Sequence, residues 1–122
     1  MISTVDALHR REAFRVLASQ DVIEFLRLLG PKDKRRRWAD EMMDTLKGNM
    51  YCGNKVPKDR IPLPLRKKHN INHLYRYPLP EGYRGLYTIL DDEFNNRKGL
   101  SVVILEIADH NKYSELLGYE ST

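Results

Sequence analysis

The sequence predicts a single α+β domain, in which two helices form a layer on one face of a small antiparallel sheet and a short helix closes the chain. Two observations carry this prediction. Two amphipathic helical stripes occupy the first half of the 122-residue chain, and three strand-like runs follow in the second half. With 41% hydrophobic and 31% charged residues, the composition is that of a globular domain with one modest core spanning residues 1–122.

The first elements are a strand and a helix. Residues 1–12 are polar without a firm period, so we assign them to an N-terminal arm or a short helix. Residues 12–18 favour a strand over the start of a helix, because their apolar side chains alternate. Ser19 or Asp21 suits the N-cap of a helix that ends at Gly30. Its apolar stripe consists of Val22, Phe25, Leu26 and Leu29.

A second helix is predicted from about Lys32 to Lys47, and the short connection makes the two helices an antiparallel hairpin. The cations in its first turns oppose the helix dipole, which indicates a use beyond folding. A solvated surface run is the commoner explanation of such residues. The buried stripe of this helix is formed by Trp38, Ala39, Met42, Met43 and Leu46.

Residues 50–72 form the least regular stretch of the sequence. Pro57, Pro62 and Pro64 interrupt any long helix, and basic residues lie between them. The sequence therefore predicts an extended surface loop, with one helical turn over residues 65–68.

Three antiparallel strands and a helix follow. Residues 74–89 predict a β-hairpin, whose turn at residues 78–82 contains two prolines and a glycine. A longer turn over residues 95–99 precedes a nearly all-apolar strand at residues 100–107. Asp109 is the expected N-cap of the final helix. Since the two long helices cover one sheet face and only short elements remain, we expect the other face to be concave and open.

The charge is unevenly distributed. The net charge of +4 includes a local +5 over residues 27–37 and a local +6 over residues 55–84, whereas residues 85–122 carry a local −4. Basic patches of this kind favour a polyanion such as RNA or DNA, or an acidic protein partner.

Several classes of function have no support in the sequence. There is no phosphate-binding glycine loop, no Gly-x-Ser-x-Gly elbow and no His-Glu-x-x-His motif. Cys52 is the single cysteine, and the four histidines lack metal-ligand spacing, so we expect no metal and no cofactor. No apolar run is long enough to cross a membrane and no signal peptide is recognisable, which predicts a cytoplasmic protein.

The candidate chemistry centres on Arg84. It is a cation in mid-strand next to Gly85, a residue that would let a ligand or another chain approach closely. His110 follows the most apolar strand, where a side chain able to exchange a proton near neutral pH is well presented. We expect Arg84 and His110 to meet on the open face, with Tyr113 beside them and Tyr75 and Tyr77 lining the floor. Such groups suit attack of a ribose 2′-hydroxyl on its own phosphate.

Three stretches of the second half form a pattern in a fixed order: Gly-Tyr-Arg-Gly-Leu-Tyr at residues 82–87, the apolar strand at residues 102–107, and Asp-His-Asn-Lys-Tyr at residues 109–113, with Gly118-Tyr119 following. Together they resemble the RelE/ParE superfamily of toxins from type II toxin–antitoxin systems. The resemblance covers about residues 14–119 in the family's element order.

This resemblance implies a RelE-like fold and a ribosome-dependent mRNA endonuclease that is neutralised by a cognate antitoxin. It implies that Arg84 contacts the scissile phosphate, that His110 acts as acid or base, and that Tyr113 orients the substrate or stacks on it. The best-studied branch carries two lysines where this chain has Tyr75 and Tyr77, which favours a histidine-based mechanism here. By alternation we expect Arg76 to face the helices unless the register slips by one.

Two other functions remain open on the sequence. One is a non-catalytic toxin of the same fold that inhibits DNA gyrase, and the other is an orphan RNA-binding or interaction module. In the nuclease interpretation, tyrosines stack on bases and basic side chains grip RNA phosphates. These RNA-binding candidates are Tyr75, Tyr77, Lys34, Arg35, Arg36, Arg37, Lys67, Lys68 and Lys112.

Overall fold

The computed structural model describes residues 11–117. The predicted arm therefore lies, apart from its last two residues, outside the described chain, and so do Gly118 and Tyr119. Two 3₁₀ turns occur at Lys58–Arg60 and Pro80–Gly82. The other elements are β1 (Val16–Ala18), α1 (Gln20–Arg27), α2 (Lys34–Gly48), β2 (Asn54–Lys55), α3 (Leu63–His69), β3 (Tyr75–Pro78), β4 (Arg84–Phe94), β5 (Arg97–Ala108) and α4 (His110–Leu117).

The predicted α+β class is confirmed, with a five-stranded sheet in the order β1-β5-β4-β3-β2. The sheet is mixed rather than wholly antiparallel, because β1 runs parallel to β5. The longest ladder joins β4 to β5 through a two-residue turn at Asn95 and Asn96, whose φ angles are 53° and 61°. Positive φ at both central residues is the type I′ geometry, which matches the twist of the flanking strands. The turn is thus shorter than predicted, and residues 97–99 belong to β5.

The first helix begins after Ser19, one of its two predicted caps, and the second begins at Lys34, two residues after the predicted start. The Ser19 side chain accepts a hydrogen bond from the backbone N–H of Val22, and the Asp33 carboxylate accepts one from Arg35 N at 2.9 Å. The first helix ends at Arg27, a few residues before the predicted Gly30. The predicted α2 stripe is confirmed, with Met43 half-buried and Trp38, Ala39, Met42 and Leu46 buried.

Apolar side chains cover both faces of the sheet, and the predicted open face is wrong. On one face, α1 and α2 pack against Tyr87 and Ile104. The other face carries a second core, in which α3 and α4 pack against Leu86 and Leu105. The irregular stretch supplies much of this cover, because its apolar residues turn inward instead of lying on the surface. They are Val56, Ile61, Leu65 and Ile71, and Leu74, just before β3, joins them. Within residues 11–117, no helix has both the length and the apolar character needed to span a bilayer.

Gly85 is approached by a helix of the same domain rather than by a ligand or another chain. A Cβ placed on Gly85 would lie 2.3 Å from Sδ of Met42, a fully buried side chain of α2. We expect Gly85→Ala to lower the free energy of unfolding by about 1–3 kcal/mol through overpacking, as measured by urea denaturation. The double variant Gly85→Ala/Met42→Ala should lose less than the sum of the two single variants. Strictly additive losses would contradict this close approach.

An ion pair ties the chain before β1 to the central hairpin. The Arg15 guanidinium donates two hydrogen bonds, of 2.8 and 2.9 Å, to the Asp92 carboxylate, and the Ser101 hydroxyl donates a third at 2.6 Å. These bonds lower the pKa of Asp92 from 3.8 to about 2. Since the unfolded chain takes up this proton more readily, the bonds stabilise the fold fully above about pH 4 and lose that effect as the pH falls towards 2.

We therefore expect Asp92→Asn to reduce the melting temperature near pH 7 and to flatten its fall between pH 4 and 2. Thermal melts followed by circular dichroism across this range provide the measurement. Asp59→Asn, at an exposed aspartate of the first 3₁₀ turn, is the matched control and should leave the acid profile unchanged. An acid profile that is the same in Asp92→Asn as in the wild type would contradict the assigned pKa.

Candidate functional site

Arg84 begins β4 and pairs with Ala108, the last residue of β5. Its guanidinium carbon lies 5.5 Å from the centroid of the Tyr113 ring, and its Nη1 donates a hydrogen bond of 3.0 Å to the carbonyl of Tyr83. Among residues 11–117, no carboxylate lies within 4 Å of this half-buried cation. A guanidinium that rests on an aromatic face without a counter-ion remains available to bind an anion.

Tyr113 holds a second arginine as well. Its hydroxyl accepts a hydrogen bond of 2.6 Å from Nη1 of Arg76, and only 5% of Tyr113 is exposed. Because Arg76 pairs with Leu86 and Arg84 with Ala108, the two arginines share the face that carries α4. The expectation that Arg76 faces the long helices is therefore wrong. A buried Tyr113 ring is also unable to stack on a base, and it supports the two guanidinium groups instead.

Tyr75 and Tyr77 lie on the opposite face, so the prediction that they line the floor beside Arg84 is wrong. Tyr75 pairs with Tyr87 and Tyr77 with Gly85, and directly opposed residues in an antiparallel ladder point to the same side. The Tyr75 ring stacks on Tyr87 with 5.1 Å between centroids, within the core under α1 and α2.

His110 is the first residue of α4 and is exposed. Asp109 caps this helix as predicted, since its carboxylate accepts a hydrogen bond of 2.8 Å from Lys112 N. A Cβ on Gly82, two residues before Arg84, would lie 3.4 Å from the His110 Cβ. His110 therefore begins beside the β3–β4 turn, at the same end of the sheet and on the same side as Arg84. Arg84 contacts the Tyr113 ring, and His110 lies three residues before Tyr113 on α4, but the open face on which the sequence placed these residues is covered by the second core.

The basic run at the start of α2 has local partners. Lys34 pairs with Glu81 at 2.5 Å, and Arg37 lies 3.5 Å from Glu41. Arg35 bonds both Asp33 and the Tyr83 hydroxyl, and this pairing lowers the pKa of Asp33 to about 2. Arg36 donates to the carbonyls of Leu29 and Gly30. The cations that oppose the dipole of α2 thus serve in part to fix the preceding turn.

The remaining basic candidates differ in their surroundings. Lys67 on α3 and Lys112 on α4 are exposed. Lys68 bonds the carboxylate of Asp21, which draws it into a separate cluster on the sheet.

Searches of protein-family models, curated proteins and solved structures find no match. Membership of a toxin family therefore stays a proposal.

The arrangement can bind and polarise a phosphodiester. Arg84 offers fork-shaped donors to phosphate oxygens, and the exposed imidazole of His110 can give or take a proton. Arg76 was missed as a site residue, because the face it occupies depends on the β3–β4 register, which the sequence leaves open. In the structure Pro78 pairs with Arg84 across a loop of five residues, and this register places Arg76 and Arg84 on one face.

Proposed function

We propose that this protein is a type II toxin that cleaves mRNA on the ribosome in the cytoplasm, as an endoribonuclease whose chemistry needs no metal. The observation that supports this proposal best is the placement of Arg84, which lacks a carboxylate partner among residues 11–117, at the same end and side of the sheet as the exposed His110. These two groups supply what transesterification of RNA requires, namely a proton carrier and a cation for the developing phosphorane charge.

In the proposed reaction the ribose 2′-oxygen forms a bond to the adjacent phosphorus, and the bond from phosphorus to the 5′-oxygen breaks. The products are a 2′,3′-cyclic phosphate and a 5′-hydroxyl. The proton lost by the 2′-hydroxyl ends on the leaving 5′-oxygen, and His110 carries one of these two transfers. Arg84 binds the non-bridging oxygens of the phosphorane. Tyr113 acts as a positioning residue because its ring lies against the Arg84 guanidinium, and Arg76 supports it through a hydrogen bond to the Tyr113 hydroxyl.

The exposed cations near this end of the sheet suit contacts with ribosomal or messenger RNA backbone. Lys34 contacts the β3–β4 turn through Glu81, and Lys112 lies two residues after His110 on α4. Such contacts add affinity that falls with salt but little sequence specificity. Tyr75 and Tyr77 have no part in the proposal, since their rings pack beneath the long helices. A cognate antitoxin would neutralise the toxin by covering the same cationic end.

The test adds purified protein to a translating extract and maps mRNA 5′ ends, with His110→Ala and a ribosome-free reaction in parallel. We expect discrete cuts with 5′-hydroxyl ends in the wild-type reaction alone. Intact mRNA together with loss of DNA supercoiling activity would contradict the nuclease and favour the gyrase inhibitor. A small acidic protein encoded in the neighbouring reading frame would separate a toxin from an orphan RNA-binding module.

A further inference from the structure

A second cluster of side chains lies on the α4-bearing face, between α1, α3 and β5. It consists of Asp21 in the first turn of α1, His69 at the end of α3 and Glu106 on β5. One potential ligand atom from each, an imidazole nitrogen or a carboxylate oxygen, lies within 4.8 Å of the other two. None of the three belongs to the group around Arg84.

The backbone places the side chains of Asp21 and Glu106 close to each other. The register shift between Leu86 and Tyr87 leaves Leu105 as an extra residue in β5, and Glu106 is paired with Leu86 on the α4-bearing face. Ser19 fixes the start of α1 over this bulge, because its N–H donates to the Ile104 carbonyl and its hydroxyl to the Leu105 carbonyl. These two hydrogen bonds fix the first turn of α1, which carries Asp21, beside Glu106.

The buried nitrogen of His69 is an important observation. Its Nε2 is shielded from solvent and makes no hydrogen bond with the described residues. A buried nitrogen without a hydrogen-bond partner lowers the stability of a fold, and such atoms are unusual in well-packed proteins. Burial, the largest effect, together with the charge of Lys68, lowers the pKa of His69. Imidazole nitrogens are common metal ligands.

The two carboxylates already share a cation. The Lys68 ammonium bonds Asp21 and lies 4.0 Å from Oε2 of Glu106. The Glu106 side chain is largely buried whereas that of Asp21 is 42% exposed, and two adjacent carboxylates gain from a stronger positive charge between them. The Lys68 side chain is 55% exposed, and it can turn into solvent when another cation enters.

We propose that Asp21, His69 and Glu106 bind one divalent first-row transition-metal ion, with Zn²⁺ as the probe, through one nitrogen and two oxygen atoms. A nitrogen ligand disfavours Mg²⁺ and Ca²⁺, which prefer oxygen alone. In a tetrahedral site, ligand atoms that each lie about 2.1 Å from zinc are ~3.4 Å from one another. Side-chain rotations that move the three ligand atoms by about 1 Å therefore complete the site. The bound ion replaces the Lys68 ammonium and fastens α1 and α3 to β5, independently of any nuclease activity.

Zinc titration of the full-length chain, by calorimetry and by competition with a chromophoric chelator, tests this site. We expect one ion per chain and a rise in melting temperature of about 5 °C at saturating zinc. His69→Ala and Glu106→Gln should each weaken binding at least tenfold. His73→Ala and Cys52→Ser, at exposed positions outside the cluster, should bind as the wild type does. Lys68→Met should bind several-fold more tightly, because it removes the competing ammonium.

The absence of stoichiometric binding in the wild type would overturn the proposal, and so would an equal loss in His73→Ala and His69→Ala. The Lys68→Met variant keeps the test decisive if His69→Ala fails to fold, since an affinity no higher than that of the wild type would also overturn it. A Co²⁺ spectrum that changes in Glu106→Gln but not in Cys52→Ser would assign the ligands directly.

Discussion

Arg84→Ala is expected to lower the rate of mRNA cleavage by about 10²–10³-fold while leaving the fold intact. The guanidinium lies half-buried on the Tyr113 ring and has no carboxylate partner among residues 11–117, so its removal leaves no buried carboxylate unpaired. The loss should therefore fall on the transition state, where charge develops on the phosphorane oxygens. Single-turnover cleavage on ribosomes programmed with one defined mRNA measures it, alongside circular dichroism.

Two further variants make this result specific. Arg84→Lys keeps the charge but loses the fork-shaped donor geometry, so it should recover only a small part of the activity. Arg97→Ala removes an exposed arginine at the other end of β5, roughly 35 Å along the strand, and should cleave as the wild type does. Full activity in Arg84→Ala, or an equal loss in Arg97→Ala, would argue against a phosphate contact at Arg84.

His110→Ala is expected to lower cleavage by about 10²–10⁴-fold, the usual contribution of a positioned acid or base. Because His110 is exposed at the first position of α4 and Asp109 provides the cap, the helix should persist. Added imidazole should restore part of the rate in His110→Ala, since it can enter the space that the side chain left. The same imidazole should not restore Arg84→Ala.

His73→Ala is the matched control for His110→Ala. His73 is exposed, and only its backbone carbonyl takes part in a described hydrogen bond, from the Thr88 hydroxyl. The His73→Ala variant should cleave mRNA at the wild-type rate. If cells expressing Arg84→Ala and cells expressing His110→Ala both still stop growing, cleavage at this site is not the toxic activity, and a non-catalytic inhibitor becomes the better interpretation.

The covered sheet face bears on how the proposed cleavage would take place. With Tyr113 buried against Arg84 and bonded to Arg76, the Arg84 guanidinium lies on packed side chains instead of on a concave floor. Such support limits the motion of the Arg84 guanidinium, which favours stabilisation of charge at a fixed position. RNA would then meet the end of the sheet, near the β3–β4 turn, and not its middle.

Local sequence signals determined most of the elements of this fold. Ser19 and Asp33 carry cap chemistry that acts over two or three residues, and the α2 stripe follows the helical period. Alternation along β4 likewise places the side chains of Arg84 and Tyr87 on opposite faces of the sheet, because side-chain direction in a strand has a period of two. The sequence also predicted the end of β5, from its apolar run, and the cap at Asp109, from its residue type. Together these two features fix the position of His110 at the start of α4.

Only the tertiary structure decided which surfaces these elements cover. The inward turn of Val56 and Leu65 closes the second face, the β3–β4 register turns Tyr75 away from Arg84 and Arg76 towards it, and Asp21 meets His69 and Glu106 across elements far apart in sequence. Helix-cap and apolar-stripe signals reflect contacts within about one helical turn, so a short stretch of sequence is enough to predict them. Strand register and the packing of distant elements depend on burying apolar surface over the whole domain, which no short stretch of sequence specifies.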